Sequence, residues 1–287
     1  MTNETQAQST SSRQFECGDW DLLAQSEWWR KVGVARASVL MLDYDGTLAP
    51  FVRERMEAKL YAGVAERLVG LLRMPGNRLA VLSGRRVQEL SRLLPDLFEV
   101  ELWGSHGRER MRADGYYEQI PPNPIQSQYL EELEKMITAE GFAFVLERKL
   151  GSLAFHTRGL DAGYAERIYQ LLYTEYQSIV RAADDSIGLE WLSFDGGIEI
   201  RGTGRTKGDA VASILADFPS DVPVAYLGDD QTDEDAFRML QDRQNAASVL
   251  VRAEPKKTAA RWRIVPPQEL LAFFDKYLEV QTEKKYE

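Results

Sequence analysis

In MLDYDGTLAP, Met41 to Pro50, two carboxylates two residues apart close the mostly apolar run ASVLML, Ala37 to Leu42. Acidic side chains ordinarily stay on solvated surfaces. Ending a buried strand on Asp43 and Asp45 brings charge close to a core, which is costly unless a cation or a reaction uses it. The stretch therefore predicts a parallel α/β sheet with a polar site at the strand ends.

Working outward, the flanking segments keep that rhythm. A short amphipathic helix is predicted in DWDLLAQSEWWRKVGVA before the strand, and a second helix in YAGVAERLVGLLRM after it. NRLAVLSGRR reads as a buried strand, VQELSRLLPDL as a helix and FEVELWGSHG as a third strand. Strand and helix in alternation build a parallel sheet with crossover helices. The pattern stops at the proline-rich GYYEQIPPNP. Two helices and antiparallel strands follow, and the α/β rhythm resumes at KGDAVASILADF, PVAYLGDD and TDEDAFRMLQD. The expected fold class is α/β: a Rossmann-like parallel-sheet core in two pieces, 21–111 and 198–287, interrupted by an α+β cap at 112–197. Residues 1–20 read as a polar flexible leader.

Composition sets bounds. The chain has 287 residues, 44% hydrophobic and 28% charged, enough for a sizeable core. A net charge of -10 argues against general nucleic-acid binding and against a polybasic membrane surface. One cysteine, Cys17, forbids an internal disulfide framework. The leader has no apolar signal-peptide core, and no apolar run reaches membrane-spanning length. A cytoplasmic monomer with a small-molecule partner, and neither nucleic acid nor membrane, is the expectation.

In an open α/β sheet, ligands bind beyond the carboxyl ends of the strands. Four such places carry polar residues: Asp43 and Asp45; Ser83, Gly84 and Arg85; Lys207 at a helix start; and Asp229 and Asp230 with Asp233 following. Each alone has a plain structural explanation, such as capping the next helix or forming a turn. As an ordered set they suit phosphate-ester hydrolysis. A carboxylate, Asp43, attacks phosphorus and becomes an aspartyl phosphate. A divalent ion, Mg²⁺ by its preference for oxygen, bridges that carboxylate and the phosphoryl oxygen, with Asp229 and Asp230 converging on it from the fourth strand. Lys207 and Ser83 hold the phosphoryl oxygens. Asp45 protonates the leaving oxygen and then activates water, and its main-chain carbonyl can face the metal. Competing motifs fail: GTGRTKGD is not a P-loop, since Thr206 precedes Lys207, and two histidines, His106 and His156, make zinc improbable.

DYDGT at 43–47, SGR at 83–85, Lys207 and GDDQTDED at 228–235 resemble, in order, the four motifs of the haloacid dehalogenase-like hydrolases. LDYDGTLAP, LWGSHGRER, LERKLGSLAFHTR, GIEIRGTGRTKGDAV and YLGDDQTDEDAF resemble, within that superfamily, the trehalose-6-phosphate phosphatase family, over about residues 37–275. The resemblance implies a C2-type cap, Asp43 as nucleophile, Asp45 as general acid/base, Ser83 and Lys207 on the phosphoryl group, and Mg²⁺ on Asp43, the Asp45 carbonyl and Asp229. It also implies a place in trehalose biosynthesis, with coupling to a sugar-phosphate glycosyltransferase. Two departures stand out: Gly202 where the family usually has proline, and Thr157 where it usually has an aromatic residue.

Strand alternation puts Glu147 and Lys149 on one cap face, opposite Phe144, Leu146 and Leu150. His156 faces away from Leu153 and Phe155, and Glu199 and Arg201 away from Ile198 and Ile200. Such a face is either an exposed surface laced with ion pairs or a set of fixed partners for sugar hydroxyls. The resemblance favours the second for Glu147, Lys149 and Glu199, and places Arg85, Ser105 and His106 at the substrate. Alternatives at this stage are a phosphatase for glucosylglycerol phosphate or a glycosyl phosphoglycerate, a phosphomutase, and a non-catalytic regulatory domain.

Overall fold

The computed structural model describes residues 17–97, 99–182, 187–194 and 196–283. The expected leader lies almost wholly outside them. Along the chain the helices are α1 (Trp20–Ala24), α2 (Glu27–Val34), α3 (Val64–Leu72), α4 (Val87–Leu93), α5 (Pro124–Ala139), α6 (Ala162–Ala182), α7 (Lys207–Leu215), α8 (Glu234–Met239) and α9 (Gln268–Glu283). The strands are β1 (Ser38–Leu42), β2 (Asn77–Leu82), β3 (Glu101–Gly104), β4 (Glu109–Met111), β5 (Tyr117–Gln119), β6 (Leu146–Lys149), β7 (Ser152–His156), β8 (Leu189–Phe194), β9 (Gly197–Gly202), β10 (Val224–Gly228), β11 (Ala246–Val251) and β12 (Trp262–Ile264).

The core sheet runs β12-β11-β10-β1-β2-β3-β4-β5. It is parallel from β12 to β3 and antiparallel across β4 and β5. All of β1 is buried, so both its faces are apolar. Leu40 and Leu42 pack with Trp29, Leu68, Leu90 and Phe273, from α2, α3, α4 and α9. Val39 and Met41 pack with Val211 and Phe237, from α7 and α8. The chain adds β2 and β3 on one side of β1 and, after the insertion, β10 to β12 on the other. That switch opens a crevice at the carboxyl ends of β1 and β10. There the Asp43 amide donates to the Leu227 carbonyl at 2.8 Å.

The inserted unit is a four-stranded antiparallel sheet, β6-β7-β9-β8. Its apolar face carries Leu153, Phe155, Ile198 and Ile200, packed with Leu130 and Leu133 of α5 and Ile168 and Leu172 of α6.

Four expectations are corrected. Residues 117–119 of the supposed proline-rich break form β5, an edge strand of the core sheet, so the inserted unit begins near α5 rather than at 112. Residues 197–202 pair with β7 and β8, so its last strand runs past the expected limit of 197. The single N-terminal helix is two, because Ser26 starts a new one. Phe144 is not on the apolar cap face; it sits in a 3-10 turn before β6 and is 62% exposed. Short-range patterning cannot register long-range pairing, which is what decides the first two. Among the described residues, no helix is long and apolar enough to cross a membrane.

Candidate active site

Asp43 follows β1 directly and is buried. Asp45 lies one turn further on, made possible by Gly46. Gly46 has φ +81, and a Cβ there would run into the Asp229 carboxylate and the Phe51 ring. Lys207, the first residue of α7, is capped by a Thr206–Asp209 capping box. Its buried ammonium donates to Asp43 Oδ1 at 2.6 Å and to Asp233 Oδ1 at 2.7 Å. Asp233 also accepts from the Tyr226 hydroxyl at 2.5 Å and from the amides of Asp229 and Asp230 at 3.0 and 2.9 Å.

These contacts set the charges. Burial pushes Asp43 up to about 7, with Asp233 and Asp45 adding repulsion that Lys207 only partly offsets. Burial and the carboxylates of Asp43, Asp233 and Asp230 raise Asp229. Burial also opposes ionisation of Asp233, yet Lys207, Tyr226 and the Asp230 amide outweigh it and hold this carboxyl low. Lys207 is desolvated too, but Asp233 and Asp43 keep it charged.

Single carboxylate oxygens of Asp43, Asp229 and Asp233 lie within 4.8 Å of one another. Both Asp233 oxygens are already engaged by Lys207, Tyr226 and two amides. Asp43 keeps Oδ2 without a donor, and no donor among the described residues reaches the Asp229 carboxylate. Two buried, mutually repelling carboxylates with free oxygens fit a hard divalent cation. Asp233 instead fixes Lys207 and the backbone of Asp229 and Asp230. Sequence reading noted Asp233 without assigning it a role; its spacing four residues after Asp229 at a helix start was the available signal.

The cleft is lined by Asp43, Asp45, Lys207, Asp229 and Asp230 from the core and by Lys149, His156, Leu192, Phe194 and Glu199 from the cap. Arg55, Gly84 and His106 also line it, and its volume is about 150 Å³. Glu147 stands at its edge, bound to Arg55 and, at 2.8 Å, to His156. Glu199 accepts from Lys149 at 3.1 Å and from the Ser152 hydroxyl, and lies 3.2 Å from His106 Nε2. Burial and the neighbouring Lys149 and Arg201 charges lower the His106 value despite Glu199, and across this contact Nε2 donates to the Glu199 carboxylate.

Three of the residues expected at the site are placed otherwise. Arg85 is buried and does not line the cleft; its Nε and Nη2 grip the Asp45 carboxylate, both at 2.7 Å. Ser83 is buried beneath the rim, its hydroxyl accepting from the Arg85 amide at 3.1 Å. Ser105 turns away and donates to Glu109 at 2.7 Å. Arg85 and Ser105 thus build the site's frame rather than its lining. Arg55, Leu192 and Phe194, which do line it, carry no motif, and no local spacing marks them; His156 also lines it, and strand alternation puts it on the polar cap face.

The departures also find their places. The Gly202 amide donates to the Gly151 carbonyl at 2.9 Å, and a Cβ would strike Gln126. Proline has no amide hydrogen to donate and would bring a Cβ against Gln126. Thr157 caps the end of β7, its amide on the Gly196 carbonyl at 2.9 Å, and does not line the cleft.

Residues 41–267 match the family model described as trehalose-phosphatase. The chain belongs to the trehalose-phosphatase family. The relatives it resembles include the trehalose-phosphatase of Schizosaccharomyces pombe, 25% identical over 83% of this chain and 30% of that protein. Another is the probable trehalose-phosphate phosphatase H of Arabidopsis thaliana, 27% identical over 84% of this chain and 72% of that protein. The fold matches Aspergillus fumigatus trehalose-6-phosphate phosphatase with a TM-score of 0.65 at 24% identity, covering 92% of this chain and 100% of that one. It matches the C-terminal domain of the Candida albicans enzyme at 0.74 and 19% identity, covering 92% and 98%. A trehalose-phosphatase is a phosphoric monoester hydrolase, and the α/β core with its cap is the haloacid dehalogenase-like architecture.

Proposed function

We propose that this protein hydrolyses trehalose 6-phosphate to trehalose and inorganic phosphate through a phosphorylated Asp43. The observation that supports this best is the meeting of Asp43, Asp45, Lys207 and Asp229 in one cleft beneath Lys149 and Glu199 of the cap.

Asp43 attacks phosphorus through one carboxylate oxygen, and the bond to the sugar oxygen breaks. Asp45 takes up a proton on parting from Arg85, whose two bonds it accepts here, and gives that proton to the sugar oxygen. It then takes a proton from the water that attacks the aspartyl phosphate, releasing phosphate and freeing Asp43. Lys207 neutralises charge on the nucleophile and on the phosphoryl oxygens, while Ser83 lies beneath them. Mg²⁺ held by Asp43 and Asp229, with Asp230 beside them, supplies charge neutralisation that lets an anionic nucleophile approach an anionic ester.

Buried atoms without partners border the cap face. They include Glu147 Oε1 and His106 Nδ1. Leaving such atoms unpaired is costly, and sugar hydroxyls are suitable partners. The test is phosphate release from trehalose 6-phosphate beside glucosylglycerol phosphate, a glycosyl phosphoglycerate, glucose 6-phosphate and p-nitrophenyl phosphate. Selective turnover of the first supports the assignment. Equal or better turnover of a rival reassigns the sugar, and phosphate kept on the sugar points to a mutase.

A further inference from the structure

Arg55 joins the two halves of the molecule in a way that no motif predicts. It opens a 3-10 turn, Arg55–Glu57, in the core segment between β1 and α3. Its Nη2 donates to Glu89 of α4 at 3.3 Å. Its Nη1 crosses to the cap, donating to Glu147 Oε2 and lying 3.2 Å from His156 Nε2. The three charged side chains are only 28%, 24% and 15% exposed for Arg55, Glu89 and Glu147, so water screens the pairs less than on an open surface.

Two further facts concern the same place. Glu147 Oε1, beside the oxygen that Arg55 holds, is buried without a partner. The cleft beneath the cap holds about 150 Å³, and it continues past Phe194 and Asp229 into a groove of about 510 Å³. Any movement of the cap away from the core must part Arg55 from Glu147.

We propose that Arg55 is a positioning residue that couples recognition of the sugar to cap closure. Anchored on Glu89, it meets Glu147 only when the cap is down, and it then fixes that carboxylate with Oε1 free for a sugar hydroxyl. The substrate part of this inference rests on the function proposed above; the closure part does not. Burial works against ionisation of Glu147, but His156, Lys149 and Arg55 outweigh it, so the carboxylate is charged and ready to accept.

Two measurements test it. In the first, spin labels on cysteines replacing the exposed Glu66 of α3 and Glu131 of α5, in a Cys17→Ser background, report the core–cap distance without substrate. Arg55→Met should shift the distribution to longer, broader distances, and Glu89→Gln should do so to a smaller extent. Distributions identical to that of the parent would overturn the proposal, whatever the substrate proves to be. The second is a double-mutant cycle on the best sugar phosphate. Arg55→Met should raise KM about ten-fold while changing kcat less than three-fold, with partial recovery in Arg55→Lys. In a Glu147→Gln background the same substitution should change KM less than two-fold; independent, multiplying effects would overturn the coupling. Should the parent prefer no sugar ester, the substrate assignment fails while the label distances still decide the closure role.

Discussion

Lys207 and Asp43, 164 positions apart in the chain, meet at 2.6 Å, and the same ammonium reaches Asp233 at 2.7 Å. One buried cation thus sits between a candidate nucleophile and the carboxylate that orders the Asp229–Asp230 backbone. Replacing it with methionine leaves buried negative charge uncompensated. Lys207→Met should lose roughly 3–5 kcal/mol of stability, read by urea unfolding, together with nearly all turnover. A variant of undiminished stability would show that the carboxylates protonate at little cost.

Asp43→Asn keeps the shape and removes the nucleophile. Phosphate release should fall at least about a thousand-fold with an unaltered circular dichroism spectrum. Activity persisting at the parent level would transfer the nucleophile's role elsewhere.

Dialysis against EDTA should abolish turnover, and Mg²⁺ should restore it. Asp229→Asn should raise the Mg²⁺ concentration for half-maximal rate roughly ten-fold or more. A rate indifferent to chelator would remove the metal from the scheme.

Glu147 is held at about 2, below its ordinary 4.5, because His156, Lys149 and Arg55 outweigh the burial that would raise it. A depressed folded value gives stability that is present above 4.5 and is lost as pH falls through about 2. At pH 7 the protein should exceed Glu147→Gln by roughly 1–3 kcal/mol in urea unfolding, and the gap should narrow as the pH is taken below 4.5. A gap independent of pH would mean that the carboxylate's charge contributes nothing.

Gly202→Pro should destabilise by roughly 1–3 kcal/mol, since it removes a strand hydrogen bond and crowds Gln126. Differential scanning calorimetry would detect the lowered midpoint; an unchanged one would show that the strand end can relax.

Much was legible before any coordinates. The apolar run into Asp43, the Ser83–Arg85 turn, Lys207 at a helix start and the acidic cluster at Asp229 are local patterns. Each joins a hydrophobic period to the polar residues that end it. Their order along the chain therefore told both the α/β core and its likeness to phosphatases. Cap residues Glu147, Lys149 and Glu199 were legible through strand alternation, which fixes a face but not its neighbours. Tertiary pairing decided the rest. It made 117–119 a core edge strand and 197–202 a cap strand, turned Arg85 onto Asp45 and Ser105 onto Glu109, and set Asp233 against Lys207. It also brought Arg55 to Glu147. Those contacts join residues whose spacing carries no period, so only the packing of distant segments, and the cost of burying charge unpaired, selects them.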